Sequence, residues 1–415
     1  MRTQTSSISS PPPGPVVTRR QHLIRLFAIG SLTAIGPFSI DMYLPGFPAI
    51  ARDLNVDLAH VALSLTSYFI GISLGQLVYG PLLARYGRRT PVVAGLLIYI
   101  AAALGCSLSP SLAWLVGQRF LLALGGCVGI VASRTIVRDL FPVNEIARIF
   151  SLLMLILGVS PIIAPSLGAY VADTFGWRYI FGILALIAAL ILWSVIRYLP
   201  ESRPGDPAIS LRVSHVFRRY AGFLKDPAFL PFAVASAMAS AGLFSYISDS
   251  PFLFTSLFHL SDREFGFVFS LSACGIIGAS QVNRFALKKR DSRAIALIAA
   301  LVQSAVGLCF IGAVITGAPF PIFLALVVSY LVCLGFLSPN TTALALEPFS
   351  HHAGSASALL GSMQMAAGAL ASAVISYAHN GTAMPMALLL CGSAAVSFAL
   401  QLSPLARRRE PSAAA

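Results

Sequence analysis

The sequence predicts an all-α membrane protein with twelve transmembrane helices arranged as two pseudo-symmetric six-helix bundles. Hydrophobic residues make up 57% of the 415 residues and charged residues 10%, with a mean hydropathy of +0.82. Soluble domains carry about 25% charged residues, so this composition is typical of a chain embedded in a membrane. The apolar stretches, and the positive charge between them, indicate where the individual helices lie.

Each apolar stretch is close to the length of roughly 20 residues that a membrane-spanning helix requires. The stretches are long and unbroken, which favours helices over the alternating strands of a barrel. The twelve predicted spans are 24–46, 61–83, 91–108, 112–133, 147–170, 177–198, 228–248, 265–283, 293–315, 320–343, 355–378 and 383–403.

Positive charge is concentrated in every second gap between these spans. Of the 28 Lys and Arg residues, 24 lie in the two termini and in loops 2–3, 4–5, 6–7 and 8–9, whereas three lie on the opposite side. By the positive-inside rule, both termini of this multi-pass protein are cytoplasmic. The basic loops then meet anionic lipid head groups, so the net charge of +13 does not indicate nucleic-acid binding.

Composition divides the chain into five segments. A Pro-rich tail at 1–22 is predicted to be disordered and cytoplasmic. Six-helix bundles at 23–199 and 227–405 flank a polar, Arg-rich cytoplasmic linker at 200–226, and a second cytoplasmic tail follows at 406–415. Loops 2–3 and 8–9 are basic and occupy equivalent places, which predicts a pseudo-twofold axis along the membrane normal and suits alternating access to a site between the halves.

Several functional classes are disfavoured by what the sequence contains. The six cysteines lie within or at the ends of spans without a CxxC pair, so we interpret them as small apolar packing residues. The seven histidines lie in loops, in tails or at span ends, which predicts no metal site. No carboxylate pair lies mid-span and no GxxxxGK[ST] loop is present, so an enzyme and an ATP-driven pump are both disfavoured.

The loop between spans two and three reads GPLLARYGRRTP, from Gly80 to Pro91. It resembles the loop signature G-x-L-x-D-R-x-G-R-R of the major facilitator superfamily of membrane transporters. Ala84 stands where that family has an Asp that helps to latch the two halves on the cytoplasmic side. The residues that match, and that the resemblance implies form a cytoplasmic gating loop, are Gly80, Leu82, Arg85, Gly87, Arg88 and Arg89.

Five further segments resemble one branch of that superfamily, the Bcr/CflA-type drug–proton antiporters, which export compounds such as chloramphenicol and bicyclomycin. The resemblance covers about residues 23–405. It implies a monomeric exporter of the bacterial inner membrane that is driven by the proton gradient and needs no cofactor. The segments are IDMYLPGFPAIARDL (40–54), RFLLALGGCVGIVASRTIVRDLF (119–141), LGVSPIIAPSLGAY (157–170), LFSYISDSPFLF (243–254) and SPNTTALALEPF (338–349).

Asp41 is the one charged residue between Arg25 and Arg52, near the middle of an apolar run. A lone carboxylate there is costly to ionise and should face a cavity, so we expect it to bind and release the coupling proton. The family uses this position for the same purpose. A structural carboxylate, hydrogen-bonded to a neighbouring helix, is the alternative. Some relatives carry a second carboxylate about two turns earlier, where this chain has Thr33.

Arg119, in span four, is the other ionisable residue well inside a predicted span. It is expected either to neutralise Asp41 directly or to act through an intermediate polar group. A buried Arg keeps its charge, so it cannot itself carry the proton. A helix–helix hydrogen-bonding role without coupling is the alternative. The family has Gln and Gly three and four positions after this Arg, whereas this chain has Leu122 and Ala123.

Glycines and prolines punctuate span five. Gly permits close helix approach, and Pro frees backbone carbonyls and kinks a helix. The resemblance implies the pliable helix of antiporters, and the ordinary Gly and Pro enrichment of membrane helices is the alternative. The residues concerned are Gly158, Pro161, Pro165 and Gly168.

A set of aromatic, Met and amide side chains is predicted to line the substrate cavity, because aromatic and Met side chains accommodate varied flat ligands. Core packing, lipid exposure or interhelical hydrogen bonding is the alternative for each of them. Asp249, near the outer end of span seven, is either a solvated helix end or an additional acidic contact for cationic drugs. The predicted cavity residues are Phe38, Met42, Tyr43, Tyr68, Phe244, Tyr246, Asn340 and Gln364.

The function expected from these features is proton-coupled efflux of small amphipathic drugs by alternating access, in which proton and drug compete for one state. A narrow-specificity metabolite transporter of the same superfamily is the alternative, because the fold alone permits either function. The expected partners are a small-molecule drug, protons and membrane lipids, and not nucleic acid.

Overall fold

The computed structural model describes residues 19–141, 143–207 and 213–403. In this part of the chain, twelve helices are long and apolar enough to cross a membrane, and no strand occurs. The predicted all-α fold with twelve spans is therefore confirmed. The helices are α1 (Arg19–Asp41), α2 (Leu63–Tyr86), α3 (Arg89–Ser107), α4 (Leu112–Leu140), α5 (Val143–Thr174), α6 (Trp177–Tyr198), α7 (Leu230–Pro251), α8 (Asp262–Ala286), α9 (Ser292–Thr316), α10 (Phe320–Leu346), α11 (Ala353–Ala378) and α12 (Met384–Leu402).

The first predicted span, 24–46, is interrupted because α1 ends at Asp41. The chain continues as a 3-10 turn, Leu44–Gly46, and then as a short helix, Phe47–Leu54. Pro45 lacks the N–H that would bond the carbonyl of Asp41, so the regular helix cannot continue through it. The carboxylate consequently lies at the end of a helix rather than within one.

Three other boundaries differ from the sequence prediction. α1 begins at Arg19, inside the stretch assigned to the tail, while residues 1–18 and 404–415 lie outside the described residues.

The linker at 200–226 contains a helix, Val213–Lys225, because Tyr220 and Phe223 share a helix face and pack into an apolar cluster with Phe229. α7 extends past residue 248 to Pro251 and is followed by a π-helical turn, Phe252–Leu257.

Helix packing repeats between the two halves with an offset of six helices. In the first half α1 packs against α4, α5 and α6, and in the second half α7 packs against α10, α11 and α12. The pairs α2–α4, α3–α4 and α3–α6 likewise correspond to α8–α10, α9–α10 and α9–α12. Equivalent helices therefore hold equivalent places, which is the pseudo-symmetry of two six-helix bundles.

The halves meet along two helix pairs, α2–α11 and α5–α8. The two pairs are equivalent, because the offset of six helices relates α2 to α8 and α5 to α11. Small hydroxyl side chains bridge the first pair, where Thr66 Oγ1 donates to Ser372 Oγ at 2.9 Å. In the second pair Ser270 Oγ donates to the Ile162 carbonyl at 2.7 Å. Small polar residues are common at membrane helix interfaces because they allow close approach and still satisfy their own hydrogen bonds.

Glycines of α4 allow its neighbours to approach at backbone distance. A Cβ added at Gly129 would overlap the Leu32 carbonyl oxygen of α1, and one added at Gly125 would lie 2.6 Å from the Gly95 carbonyl oxygen of α3. Backbone atoms cannot swing aside as a flexible side chain can, so the absence of a side chain is required here. These contacts set the distance between α4 and the helix that carries Asp41.

We predict that Gly129→Ala lowers the stability of the folded protein by about 1–3 kcal/mol, because the added methyl group forces α1 and α4 apart. Gly182→Ala in α6 is the matched control, since a Cβ there would have no heavy atom within 4 Å. Thermal unfolding of the purified proteins in detergent measures the difference. Equal midpoint temperatures for the two variants would contradict this account of α4.

Candidate functional site

The Asp41 carboxylate faces a cavity between the two halves. Asp41 is the last residue of α1 and is 4% exposed. The cavity has a volume of about 450 Å³ and is enclosed by α1, α5, α7, α8 and α10. Its lining is mostly apolar and includes Gly158, Pro161, Tyr246, Ile247, Phe269 and Pro339.

No charged partner compensates Asp41 within the described part of the chain. Its carboxylate accepts no hydrogen bond there, and no Lys, Arg or His side chain approaches it within the 4.0 Å of an ion pair. The hydrogen bond to a neighbouring helix that a purely structural role requires is therefore not seen among these residues. An ionised carboxylate in such surroundings is costly unless a cation joins it. The cavity is the space that such a cation or a substrate can enter.

Arg119 of α4 is fully buried and is held by aromatic rings. Its guanidinium carbon lies 4.3 Å from the ring centroids of both Tyr43 and Tyr68, an arrangement in which the rings attract the cation. Nη1 donates to the carbonyl of Ser39 at 2.8 Å. Nε and Nη2 have no hydrogen-bond partner among the described residues, so the guanidinium retains unused donors beside α1.

The relation between Arg119 and Asp41 is indirect in this conformation. The two side chains form no ion pair, and Arg119 instead contacts the backbone of Ser39, two residues before Asp41. The hydroxyl of Ser39 is itself hydrogen-bonded to Tyr99 at 2.6 Å. Direct neutralisation is therefore not seen in this conformation, whereas action through an intermediate polar group stays a prediction. The bond to Ser39 is also the helix–helix hydrogen bond that the sequence left as the alternative.

The predicted cavity residues occupy several different places, and whether any of them contacts a substrate stays a prediction. Tyr246 lines the Asp41 cavity, whereas Phe38 lines a separate apolar cavity of about 260 Å³ beside α6. Met42 is fully buried, and Tyr43 and Tyr68 pack on Arg119 as described.

The remaining three predicted residues make contacts between helices. Phe244 packs against Phe69 of α2 in a tilted arrangement, with ring centroids 4.3 Å apart and ring planes at 48°. Asn340 Nδ2 donates to Asn283 Oδ1 at 2.8 Å, and Gln364 Nε2 donates to Ser236 Oγ at 2.8 Å. These amides therefore have the interhelical hydrogen bonds that the sequence left as an alternative.

The glycines and prolines of α5 lie where this helix approaches both halves. A Cβ at Gly158 would lie 3.6 Å from Ile277 of α8 in the opposite half, and a Cβ at Gly168 would overlap the Met42 carbonyl oxygen. Gly158 and Pro161 also line the Asp41 cavity, and the carbonyl of Pro165 faces Gly266. α5 is thus in contact with the end of α1 and with the second half at once, while its role as a pliable antiporter helix stays a prediction.

The matched loop between α2 and α3 forms an ion pair that sequence reasoning missed. We call the end of the bundle that carries this loop the basic end. Arg88 Nε donates to the carboxylate of Asp139, at the end of α4, at 2.8 Å, and its Nη1 donates to the Leu83 carbonyl at 2.7 Å. Gly87 adopts φ +83°, a backbone conformation that favours glycine. The sequence did contain a signal for this pair, because Asp139 is an acidic residue that follows predicted span four at the basic end.

The loop between α2 and α3 also contacts the segment that follows α6. This segment brings a carboxylate, Glu201, to a loop in which Ala84 stands where the resembling family has an Asp. Glu201, which follows α6, accepts hydrogen bonds from the backbone N–H groups of Arg88 at 2.6 Å and Arg89 at 3.1 Å. These are unpaired donors at the start of α3, so a carboxylate there is stabilised by the helix N-terminus. The Ala84 carbonyl accepts from the backbone of Asp206 at 3.1 Å. The loop is therefore tied to the segment that follows α6, while the gating role of Gly80 and Arg85 stays a prediction.

Asp249 is not the solvated helix end that the sequence favoured. It is 3% exposed, because α7 continues beyond it to Pro251 and into the π-helical turn. Its Oδ2 has no hydrogen-bond partner among the described residues. The sequence missed this burial because the apolar run appeared to end at residue 248.

Comparison with known proteins identifies related sequences over most of the chain. Residues 29–372 match the family model described as Major Facilitator Superfamily. The chain is 34% identical to the uncharacterized MFS-type transporter YdgK of Bacillus subtilis, over 91% of this chain and 94% of that protein. It is 28% identical to a bicyclomycin resistance protein homolog of Haemophilus influenzae, over 89% and 92%. It is 30% identical to the multidrug resistance protein MdtL of Escherichia coli, over 82% and 85%.

Solved structures share the fold at lower sequence identity. A crystal structure of a D-xylose–proton symporter matches with a TM-score of 0.69 at 15% identity, over 91% of this chain and 95% of that chain. A bacterial homolog of the human lysosomal transporter Spinster, in an inward-facing and occupied conformation, matches with a TM-score of 0.73 at 15% identity, over 95% and 100%. Identity at this level supports the fold alone.

We predict that Arg119→Lys destabilises the protein by about 1–3 kcal/mol, because an ammonium group cannot stack between two rings and reach the Ser39 carbonyl together. Arg178→Lys is the matched control. That Arg also lies over an aromatic ring, Trp177, at 4.4 Å, but its side chain is 40% exposed and its loss should cost less. Thermal unfolding in detergent compares the two, and an equal or larger effect at Arg178 would oppose the proposed geometry.

We predict that Asp139→Asn costs about 1.5–3 kcal/mol of stability, because Arg88 then keeps a largely buried charge without its carboxylate. Asp173→Asn serves for comparison, since Asp173 pairs with Arg263 at 2.7 Å between side chains that are 48% and 70% exposed, where pairs contribute little. Chemical or thermal unfolding distinguishes the two variants. A loss at Asp139 no greater than that at Asp173 would show that the Arg88 pair is not a stabilising contact.

Proposed function

The chain belongs to the Major Facilitator Superfamily and is a multi-pass membrane transporter, and on that premise we propose that it exports small amphipathic drugs in exchange for protons. The observation that carries the proposal is the Asp41 carboxylate in the cavity between the two halves, with no cation beside it. The relatives named for bicyclomycin resistance and multidrug resistance support a drug substrate, and we propose one of the bicyclomycin or chloramphenicol kind.

The exchange follows from competition for one buried charge. A proton on Asp41 removes the charge and leaves an apolar cavity, whereas a bound amphipathic drug occupies the cavity and covers the carboxylate. A proton neutralises Asp41, and a drug lowers the cost of burying the anion when it donates hydrogen bonds or brings positive charge to the carboxylate. The halves can then close around either ligand but not around the bare anion. Proton entry from one side of the membrane and drug entry from the other then drive opposite movements.

The cavity matches this substrate class in its chemistry. Its walls are aliphatic and aromatic residues of both halves, with a few polar groups such as Ser280 and Gln281 at α8. Apolar walls with few convergent polar groups are typical of small-molecule sites. A substrate must therefore be largely apolar and need not carry a fixed charge.

Arg119 is proposed to position the end of α1 and to bias the charge of Asp41. Its bond to the Ser39 carbonyl and its packing on Tyr43 and Tyr68 hold the turn that leads to the carboxylate. The guanidinium keeps its charge throughout the cycle. Its Nε and Nη2 groups have no partner among the described residues, so they remain available to other groups when α1 moves.

Orientation and assembly are part of the same proposal. The basic end would face the cytoplasm with both termini, in a bacterial inner membrane, because Lys and Arg are retained on that side. Exchange against the proton gradient supplies the driving force, so the monomer requires neither a catalytic centre nor a cofactor.

We predict that Asp41→Asn abolishes drug-induced proton release from everted membrane vesicles energised by respiration. The amide is close in size to the protonated carboxyl but cannot exchange a proton, so coupling is lost without a large change in packing. Asp57→Asn in the exposed loop after the short helix Phe47–Leu54 is the matched control, because the Asp57 side chain is 85% exposed. A fluorescent pH indicator records the response to chloramphenicol and to a panel of cationic dyes.

Proton release in wild type and in Asp57→Asn, together with silence in Asp41→Asn, is the expected outcome. Equal release in all three proteins would exclude Asp41 as the coupling residue. Silence of the wild type across the whole panel would reject drug export and favour a narrow metabolite transporter, which a comparison of metabolites in deletion and wild-type cells would then identify.

A further inference from the structure

Asp249 is an enclosed carboxylate that the proposed exchange at Asp41 does not use. It lies in α7, is 3% exposed and has an unpartnered Oδ2. The hydroxyl of Ser248, next to it, is also enclosed without a partner. The Tyr246 hydroxyl, one turn earlier, is enclosed near Ser272 without a hydrogen bond of normal geometry. One turn of α7 thus holds three buried polar groups whose hydrogen-bonding capacity is not met within the described residues.

No cation is available to Asp249 from the helices that pack against it. α7 packs mainly against α10, α11 and α12, and none of these three helices contains Asp, Glu, Lys, Arg or His. Their titratable groups are Tyr330, Cys333, Tyr377 and Cys391. The π-helical turn and the 3-10 turn Leu44–Gly46, which also touch α7, carry no ionisable side chain.

The nearby loops do not supply a charge either. The His379 ring packs edge-on against Phe252, with centroids 4.4 Å apart, and burial lowers the pKa of His379, so that ring is neutral near neutral pH. The basic helix Val213–Lys225 touches α7 at its other end, about 28 Å from Asp249 at a rise of about 1.5 Å per residue. An ionised Asp249 would therefore be an uncompensated buried charge.

Space and ligand chemistry decide which cation can join this carboxylate. Asp249 is 3% exposed and is not among the residues that line the Asp41 cavity, so an organic cation in that cavity would not contact it in this conformation. A metal ion requires several oxygen or nitrogen ligands, and no group of three or more His, Cys, Asp or Glu side chains suited to a metal occurs in the described residues. A proton fits, because a protonated carboxyl can donate to a backbone carbonyl of the preceding helical turn.

The position of Asp249 also repeats that of Asp41. α7 is the counterpart of α1 under the six-helix offset. Both helices lose their regular form close to the carboxylate. α1 ends at Asp41 and is followed by a 3-10 turn, whereas α7 ends two residues after Asp249, at Pro251, and is followed by a π-helical turn; π turns are frequent at functional sites. Tyr246, on the same face of α7 one turn before Asp249, lines the Asp41 cavity. The second carboxyl is therefore one helical turn from the first site.

We propose that Asp249 is a second proton-binding carboxyl, so that each cycle exchanges two protons, one from each half, for one substrate molecule. Binding converts the carboxylate to the neutral acid, and release returns the proton when the second half opens. The stoichiometry of two exchanged protons rests on the proposed drug–proton exchange. The binding of a proton to Asp249 in the closed protein does not rest on it.

Infrared spectroscopy tests the bound proton without any transport. Purified wild type, Asp249→Asn and the exposed control Asp57→Asn are compared in lipid near neutral pH. We expect carboxylic-acid C=O absorption to which Asp41 also contributes when it is protonated, so the intensity should fall in Asp249→Asn and stay unchanged in Asp57→Asn. Retention of the full band in Asp249→Asn would overturn the proposal. Asp249→Ser provides a second variant, and unchanged melting confirms that each protein is folded.

Proteoliposomes test the stoichiometry. With the membrane potential clamped at zero, a tenfold proton gradient should balance a chloramphenicol gradient of about a hundredfold in wild type and about tenfold in Asp249→Asn, since each exchanged proton contributes one equal free-energy step. A tenfold balance in wild type would overturn the proposal of two protons. If wild type moves no chloramphenicol, the proposed drug export fails for that substrate, and the infrared band still decides whether Asp249 holds a proton.

Discussion

Burying an ionisable side chain in an apolar interior is costly, and this protein meets that cost in different ways at three residues. Arg119 spreads its charge over the faces of Tyr43 and Tyr68 and donates to one backbone carbonyl. Asp41 faces a cavity that a proton or a substrate can enter. Asp249 is enclosed without either arrangement. The permanent charge of Arg119 is thus held by fixed contacts, whereas the two carboxylates have no charged partner among the described residues, which is why we propose that protons bind there.

The repeated packing of the two halves places these groups where movement can act on them. α1 and α7 are equivalent helices, and each ends in an irregular turn close to its carboxylate. Glycines such as Gly129 and Gly168 bring α4 and α5 against α1 at backbone distance. Displacement of one half against the other at α2–α11 and α5–α8 therefore alters the surroundings of Asp41 directly, because the cavity is built from helices of both halves.

At the basic end, carboxylates from other segments of the chain contact the loop that contains Ala84. Ala84 has no carboxylate to offer Arg88, and Asp139 provides one from the end of α4. Glu201 accepts from the first backbone N–H groups of α3. A charged loop can keep its conformation when the carboxylates come from other segments, because an ion pair depends on the final distance between atoms and not on the position of the partner along the chain.

The sequence by itself determined the class of fold, the number of spans and the presence of Asp41 in the first apolar segment, because hydropathy and charge are local properties that decide segment by segment what enters a membrane. That α1 ends at Asp41 was decided by the structure. It also determined family membership through the loop motif around Gly87 and Arg88. Only the tertiary structure decided that Tyr43 and Tyr68 pack on Arg119, that Asp139 pairs with Arg88, and that Asp249 is buried. Those outcomes depend on which helix faces meet, and residues far apart in the chain fix that together.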